Sequence, residues 1–219
     1  MQTITDPKQA LKRYKKMRAK NRLIQGVWSE HVNGSRMACA VGILGPNVLS
    51  VDDCPWSIMP LWCADYTTLF FDALDKEDAF AWGEKLYSEL ARLKGDVPIS
   101  VLHKFQADTM CKFFIDSELE QEENPRPWQN LRQLHLKTLK GRNSNRETWV
   151  NAISRTCNAY YGCCFDRLHD IHPESQLYSY ICICALERTY TEDGVMQRLA
   201  YGLIECLKQV PSKEKNNDD

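Results

Sequence analysis

No apolar run in this 219-residue chain reaches the roughly 18–20 residues that cross a bilayer as a helix. The longest candidate, Leu177 to Leu186, is too short and holds Ser179. The expectation is a chain with no membrane span. The charged N-terminus lacks the apolar segment of a secretory leader, so the expected location is cytoplasmic. Phosphate-cradling glycine loops are missing too. There is no Walker pattern, no Gly-x-Gly-x-x-Gly and no Gly-x-Ser-x-Gly elbow. No Cys-x-x-Cys knuckle occurs, although the chain has ten cysteines. In a compartment without disulfides, cysteines in apolar helical runs read as small buried hydrophobes.

What is present is an uneven charge distribution. The net charge is −1, with 28 Lys and Arg against 29 Asp and Glu. Yet Lys8, Lys12, Arg13, Lys15, Lys16, Arg18, Lys20 and Arg22 follow one another with no acid among them. A second acid-poor segment holds Arg126, Arg132, Lys137, Lys140, Arg142 and Arg146. An overall acidic body therefore carries two basic segments, 8–22 and 126–146, where an anionic partner would dock.

Hydrophobic content is 43%, enough to bury a core. The periodicity predicts a mainly α protein, a bundle of about seven or eight helices with one short N-terminal β-hairpin. Asp6-Pro7 is a helix start, because Asp caps and Pro suits the first helical position. Leu11, Tyr14 and Met17 then form a thin apolar stripe. Asn33-Gly34 between two short runs predicts a hairpin over 27–37. Met37 to Leu44 is expected to form a brief buried helix closed by Gly45-Pro46, followed by a proline-pinned loop to Pro60. Asp52-Asp53 in that loop reads as turn chemistry. Further helices are expected over 60–74, 76–94, 98–118, 128–140, from Asn145 to Ile171, over 175–190 and over 194–210. The break at Asn124 to Pro127 predicts a boundary between lobes 1–123 and 124–211. A disordered tail is expected over 212–219.

Residues 22–65 resemble an uncharacterised family of bacterial proteins. The matching pieces are Arg22-Leu23-Ile24-Gln25-Gly26 with Trp28, then Ala38-Cys39, Asp53-Cys54-Pro55, and Met59-Pro60 with Trp62. The resemblance carries no assigned activity. It implies a helical bacterial or mobile-element protein whose N-terminal half is a module.

Three functions follow from these residues. The first is a non-catalytic protein-interaction or adaptor role, as an accessory subunit of a bacterial or phage assembly. It would use Lys12, Arg13, Lys15, Lys16 and Arg18, with Arg126, Arg132, Lys137 and Arg142 in support and an exposed Trp128 as anchor. The second is nucleic-acid binding through the same cations, with Tyr14, Trp128 and His135 stacking on bases. The third is a zinc protein or an enzyme. Its ligand candidates Cys163, Cys164, His169 and His172 fall close together, but two adjacent cysteines cannot both face inward on one helix. No cofactor and no catalytic residue is assigned on this basis.

Overall fold

The computed structural model describes residues 2–120, 125–161, 173 and 194–212. Its chain falls into two compact units, Met1–Val97 with Met196–Asp219, and Pro98–Val195. The division thus comes at Pro98 rather than near 124, and the last described helix belongs with the first unit. A linker reading based on local composition could not see that return. The fold is mainly helical, with one two-stranded antiparallel hairpin near the N-terminus.

In unit 1, α1 (Pro7–Ala19) begins as expected. The Asp6 carboxylate accepts from the Gln9 amide at 2.8 Å, and Pro7 occupies the first turn. Ala10, Tyr14 and Met17 are buried along one side. They pack on α3 (Lys76–Arg92), a 17-residue helix, where Gly83 leaves room for the Tyr14 ring. A Cβ at position 83 would collide with the Tyr14 hydroxyl. That hydroxyl donates to the Phe80 carbonyl at 3.2 Å, and the Tyr14 and Tyr87 rings lie 5.2 Å apart. The basic helix is therefore seated, not a loose arm.

The hairpin is β1 (Ser29–Val32) and β2 (Ser35–Ala38), paired Ser29↔Ala38 through Val32↔Ser35. Asn33 and Gly34 both take positive φ, as a tight hairpin turn requires. The helix expected over Met37–Leu44 is a misreading. Met37 and Ala38 are consumed by strand pairing, and a single 3-10 turn at Gly42–Leu44 remains. Gly42 lies under the Trp28 carbonyl, where no side chain fits.

Helix α2 (Leu61–Ala73) is buried along most of its length, including Tyr66, Phe70 and Phe71. Gln25 caps its end, donating to the carbonyls of Phe71 and Leu74 at 2.6 and 2.8 Å. The C-terminal α8 (Val195–Lys208) closes unit 1 from Met196 onward. The Trp82 indole donates to the Ala200 carbonyl at 2.8 Å. Arg92 donates to the carbonyls of Leu207 and Val210 at 2.7 and 2.6 Å, at and just past the C-terminal end of α8.

Unit 2 contains α4 (Ile99–Phe105), a π-turn (Gln106–Met110), α5 (Cys111–Glu120), α6 (Arg126–Leu139) and α7 (Arg146–Tyr161). The run expected as one helix over 98–118 is continuous but carries this π-turn. Asn145 caps α7 through the Thr148 amide and hydroxyl, at 2.9 and 2.7 Å. The expected continuation to Ile171 and the helix over 175–190 lie outside the described residues, as does nearly all of the tail. Among the described residues, no helix is long and apolar enough to cross a membrane.

Candidate functional site

Burying Ala10, Tyr14 and Met17 turns the cations of α1 outward, and they do not share one environment. Lys8, Lys12, Lys16 and Lys20 recur every fourth residue and are all exposed. Residues four apart are neighbours on a helix surface, so these lysines form one row about 18 Å long. Lys15 and Arg18 lie elsewhere. Both reach Glu84 of α3, at 3.6 and 2.7 Å, so their charge is partly spent within the protein.

The lower end of the lysine row opens into a cleft of about 320 Å3 lined by Arg13, Lys16, Met17, Lys20, Arg22 and Arg36. Among the described residues, five cations and one methionine line it and no carboxylate does. Arg36 comes from the hairpin, not from the basic segment. Its Nη2 donates to the carbonyls of Gly42 and Gly45 at 2.8 and 2.7 Å, which fixes the guanidinium in place. Its Nη1 is covered and has no hydrogen-bond acceptor. Arg22 donates to the Ser35 hydroxyl at 3.0 Å, tying the exit of α1 to the start of β2. Burial lowers the basicity of both Arg13 and Arg36, and Arg36 lowers that of Arg13 further. Arginine stays charged regardless.

Of the five α1 cations expected to act together, Arg13 and Lys16 line the cleft, Lys12 lies on the row leading to it, and Lys15 and Arg18 face Glu84. Arg36 was missed by sequence reasoning. The signal was available in principle: the Asn33-Gly34 turn sets a register that pairs Arg36 with His31.

The second basic segment does not form an equivalent site. Arg132 donates to the Ala107 carbonyl in the π-turn at 2.8 Å and lies 3.7 Å from Asp108, so it braces unit 2. Arg126 and Arg142 are exposed. Lys137 and Arg155 border a separate cleft of about 370 Å3 between α6 and α7, lined otherwise by Pro127, Leu134, Ala152 and neutral polar side chains. Trp128 is a correction. It is buried, stacked flat on Phe114 with centroids 4.0 Å apart and planes 5° apart, and cannot anchor an interface. Tyr14 and His135 are likewise fully buried and cannot stack on bases. His135 instead meets His103, Nδ1 to Nδ1 at 2.9 Å, beneath Trp149. Only one of two facing Nδ1 atoms can carry the proton in a neutral pair. Burial first, and then His103, pushes the His135 pKa well below its ordinary value.

The zinc candidates Cys163, Cys164, His169 and His172 lie outside the described residues. Among the described residues no group of three or more His, Cys, Asp or Glu is placed to hold a metal. Cys39, Cys54, Cys63, Cys111 and Cys206 are buried. Burial raises the Cys54 thiol to about 12 and pushes Cys39 and Cys63 upward as well, the opposite of an activated nucleophile. Asp53 accepts from the Leu49 amide and the Ser50 hydroxyl, the turn chemistry its sequence context predicts.

No family model, no curated protein and no solved structure matches this chain.

Proposed function

We propose that this chain is a non-catalytic binding protein that holds nucleic acid by its phosphates. The observation that carries this reading is the cleft of Arg13, Lys16, Lys20, Arg22 and Arg36, lined by no carboxylate among the described residues and fed by a row of exposed lysines. Three of the five are arginines, whose planar fork matches phosphate oxygens. The aromatics expected to stack on bases are interior. Contact is therefore with the backbone, and recognition is independent of sequence.

The test is fluorescence anisotropy of the full chain with labelled single-stranded and duplex oligonucleotides across a salt series. Four to five phosphate contacts give a log–log slope of roughly −3 to −4.5, or a loss of roughly 60- to 500-fold between 50 and 200 mM salt. Charge reversal at Lys12, Lys16 and Lys20 together should abolish binding. These side chains are exposed, so the fold tolerates the change. Absence of binding by the parent protein at 50 mM salt defeats the proposal.

A second reading, docking on a protein partner, is favoured by one separate observation. Trp56 and Leu49, in the proline-rich loop, are 68% and 58% exposed. Exposed tryptophan is a common interface anchor. Partner capture that survives nuclease and 500 mM salt, and is lost in Trp56→Ala, would establish it.

A further inference from the structure

The cleft at the end of the lysine row differs in kind from the row itself. The row is convex, exposed and evenly spaced, which suits successive phosphodiesters. The cleft is concave and concentrates five cations around one small volume. We infer that it receives the terminal phosphomonoester of a nucleic-acid strand, so that the protein binds phosphorylated ends in preference to strand interiors. This rests on the nucleic-acid reading above and adds a specificity to it.

Charge is the first reason. An internal diester carries one negative charge, whereas a monoester carries about −1.5 to −2 at pH 7 and offers three strong acceptor oxygens. Arg13, Lys16, Lys20, Arg22 and Arg36 exceed what one diester can balance. Access is the second. A strand end enters a recess with its single ester link pointing out along the lysine row, but an internal phosphate needs an exit on both sides. Preorganisation is the third. Arg36 is held by two backbone carbonyls, and Arg22 by Ser35, before any ligand arrives. Donors already fixed in place lose little entropy on binding. The guanidinium of Arg36 is partly covered and its Nη2 is held by two carbonyls, so it acts on an anion in the recess through its charge, less screened there than in open water. Met17 gives the recess an apolar wall, where attraction between charges is less screened than in water.

The experiment compares one oligonucleotide sequence in three forms: hydroxyl at both ends, 5′-phosphate, and 3′-phosphate. Affinity is measured on the full-length protein at 150 mM salt. One phosphorylated form should bind at least about tenfold more tightly than the hydroxyl form, as expected for two or more added charge-assisted hydrogen bonds. Millimolar inorganic phosphate should erase that ratio. In Arg36→Gln the ratio should fall at least about threefold, reflecting loss of one of the five charges around the phosphate. Should Arg36→Gln fold poorly, Lys20→Gln at an exposed position should lower the same ratio. Equal, salt-steep affinity for all three forms overturns the end preference while leaving the nucleic-acid reading intact. Failure of every form to bind at low salt overturns both.

Discussion

Acid should destabilise unit 2 through the buried side chain of His135. Its imidazole is fully buried between His103 and Trp149, and its pKa sits well below the ordinary 6.5. In the unfolded chain it titrates normally. Below pH 6.5 the unfolded state therefore binds a proton that the folded state refuses. Stability is fully present above that value and is lost as pH falls through it toward the folded pKa. From pH 7.5 to 5.5 the loss from this one group is about 1.4 kcal/mol, with a similar amount for each further unit above the folded pKa. The upper window avoids most carboxylate titration. Native-state hydrogen exchange at amides of α6 and α7 reads the stability of this unit directly. The comparison protein is His135→Asn, which keeps a hydrogen-bonding partner for His103 but cannot titrate. The parent should lose about 1.4 kcal/mol more than the variant between pH 7.5 and 5.5. Equal losses in the two proteins would refute the reasoning, because the acid response would then arise elsewhere.

Three further outcomes follow from other contacts. Glu84→Gln releases Lys15 and Arg18; it should tighten nucleic-acid binding several-fold and steepen its salt slope by up to about two contacts, at a stability cost of no more than about 1 kcal/mol for a partly exposed pair, measured by urea denaturation. Trp128→Ala should cost roughly 3–5 kcal/mol in the unfolding of unit 2 by removing the Phe114 stack. At a temperature where it stays folded it should leave oligonucleotide affinity unchanged, and a loss of binding there would return Trp128 to the interface. Cys54, with its thiol raised to about 12, is about one part in ten thousand thiolate at pH 8. It should resist iodoacetamide until denaturant is added, as read by peptide mass spectrometry; rapid native labelling would contradict its burial.

Features written in neighbouring residues were legible in the sequence. The Asp6-Pro7 start, the Asn33-Gly34 turn and the α1 stripe through Tyr14 and Met17 each depend on residues a few positions apart. The Met37–Leu44 error came from reading composition without pairing, since an apolar run beside a turn belongs to the hairpin when its partner strand claims it. The site was half legible. The basic segment is plain, but its division between Glu84 and Arg36 is a long-range event that no local spacing encodes. Trp128 could have been read correctly. With Leu131 and His135 it falls on one helical stripe, three and seven residues apart, and that stripe is the buried one.

The return of α8 to unit 1 has a consequence for how the protein comes into being. Synthesis runs from the N-terminus, and domains fold as units as they emerge. The indole of Trp82 and the guanidinium of Arg92 emerge more than a hundred residues before the carbonyls that satisfy them. All of Pro98–Val195 leaves the ribosome in that interval. The inserted unit is thus complete before unit 1, whose α3 holds the basic helix but gains its last partner only with α8. A ribosome stalled before residue 196 would display the lysine row on an open, unsealed core. The lysine row and the helix that completes the core behind α3 are separated in synthesis by nearly the whole length of the chain.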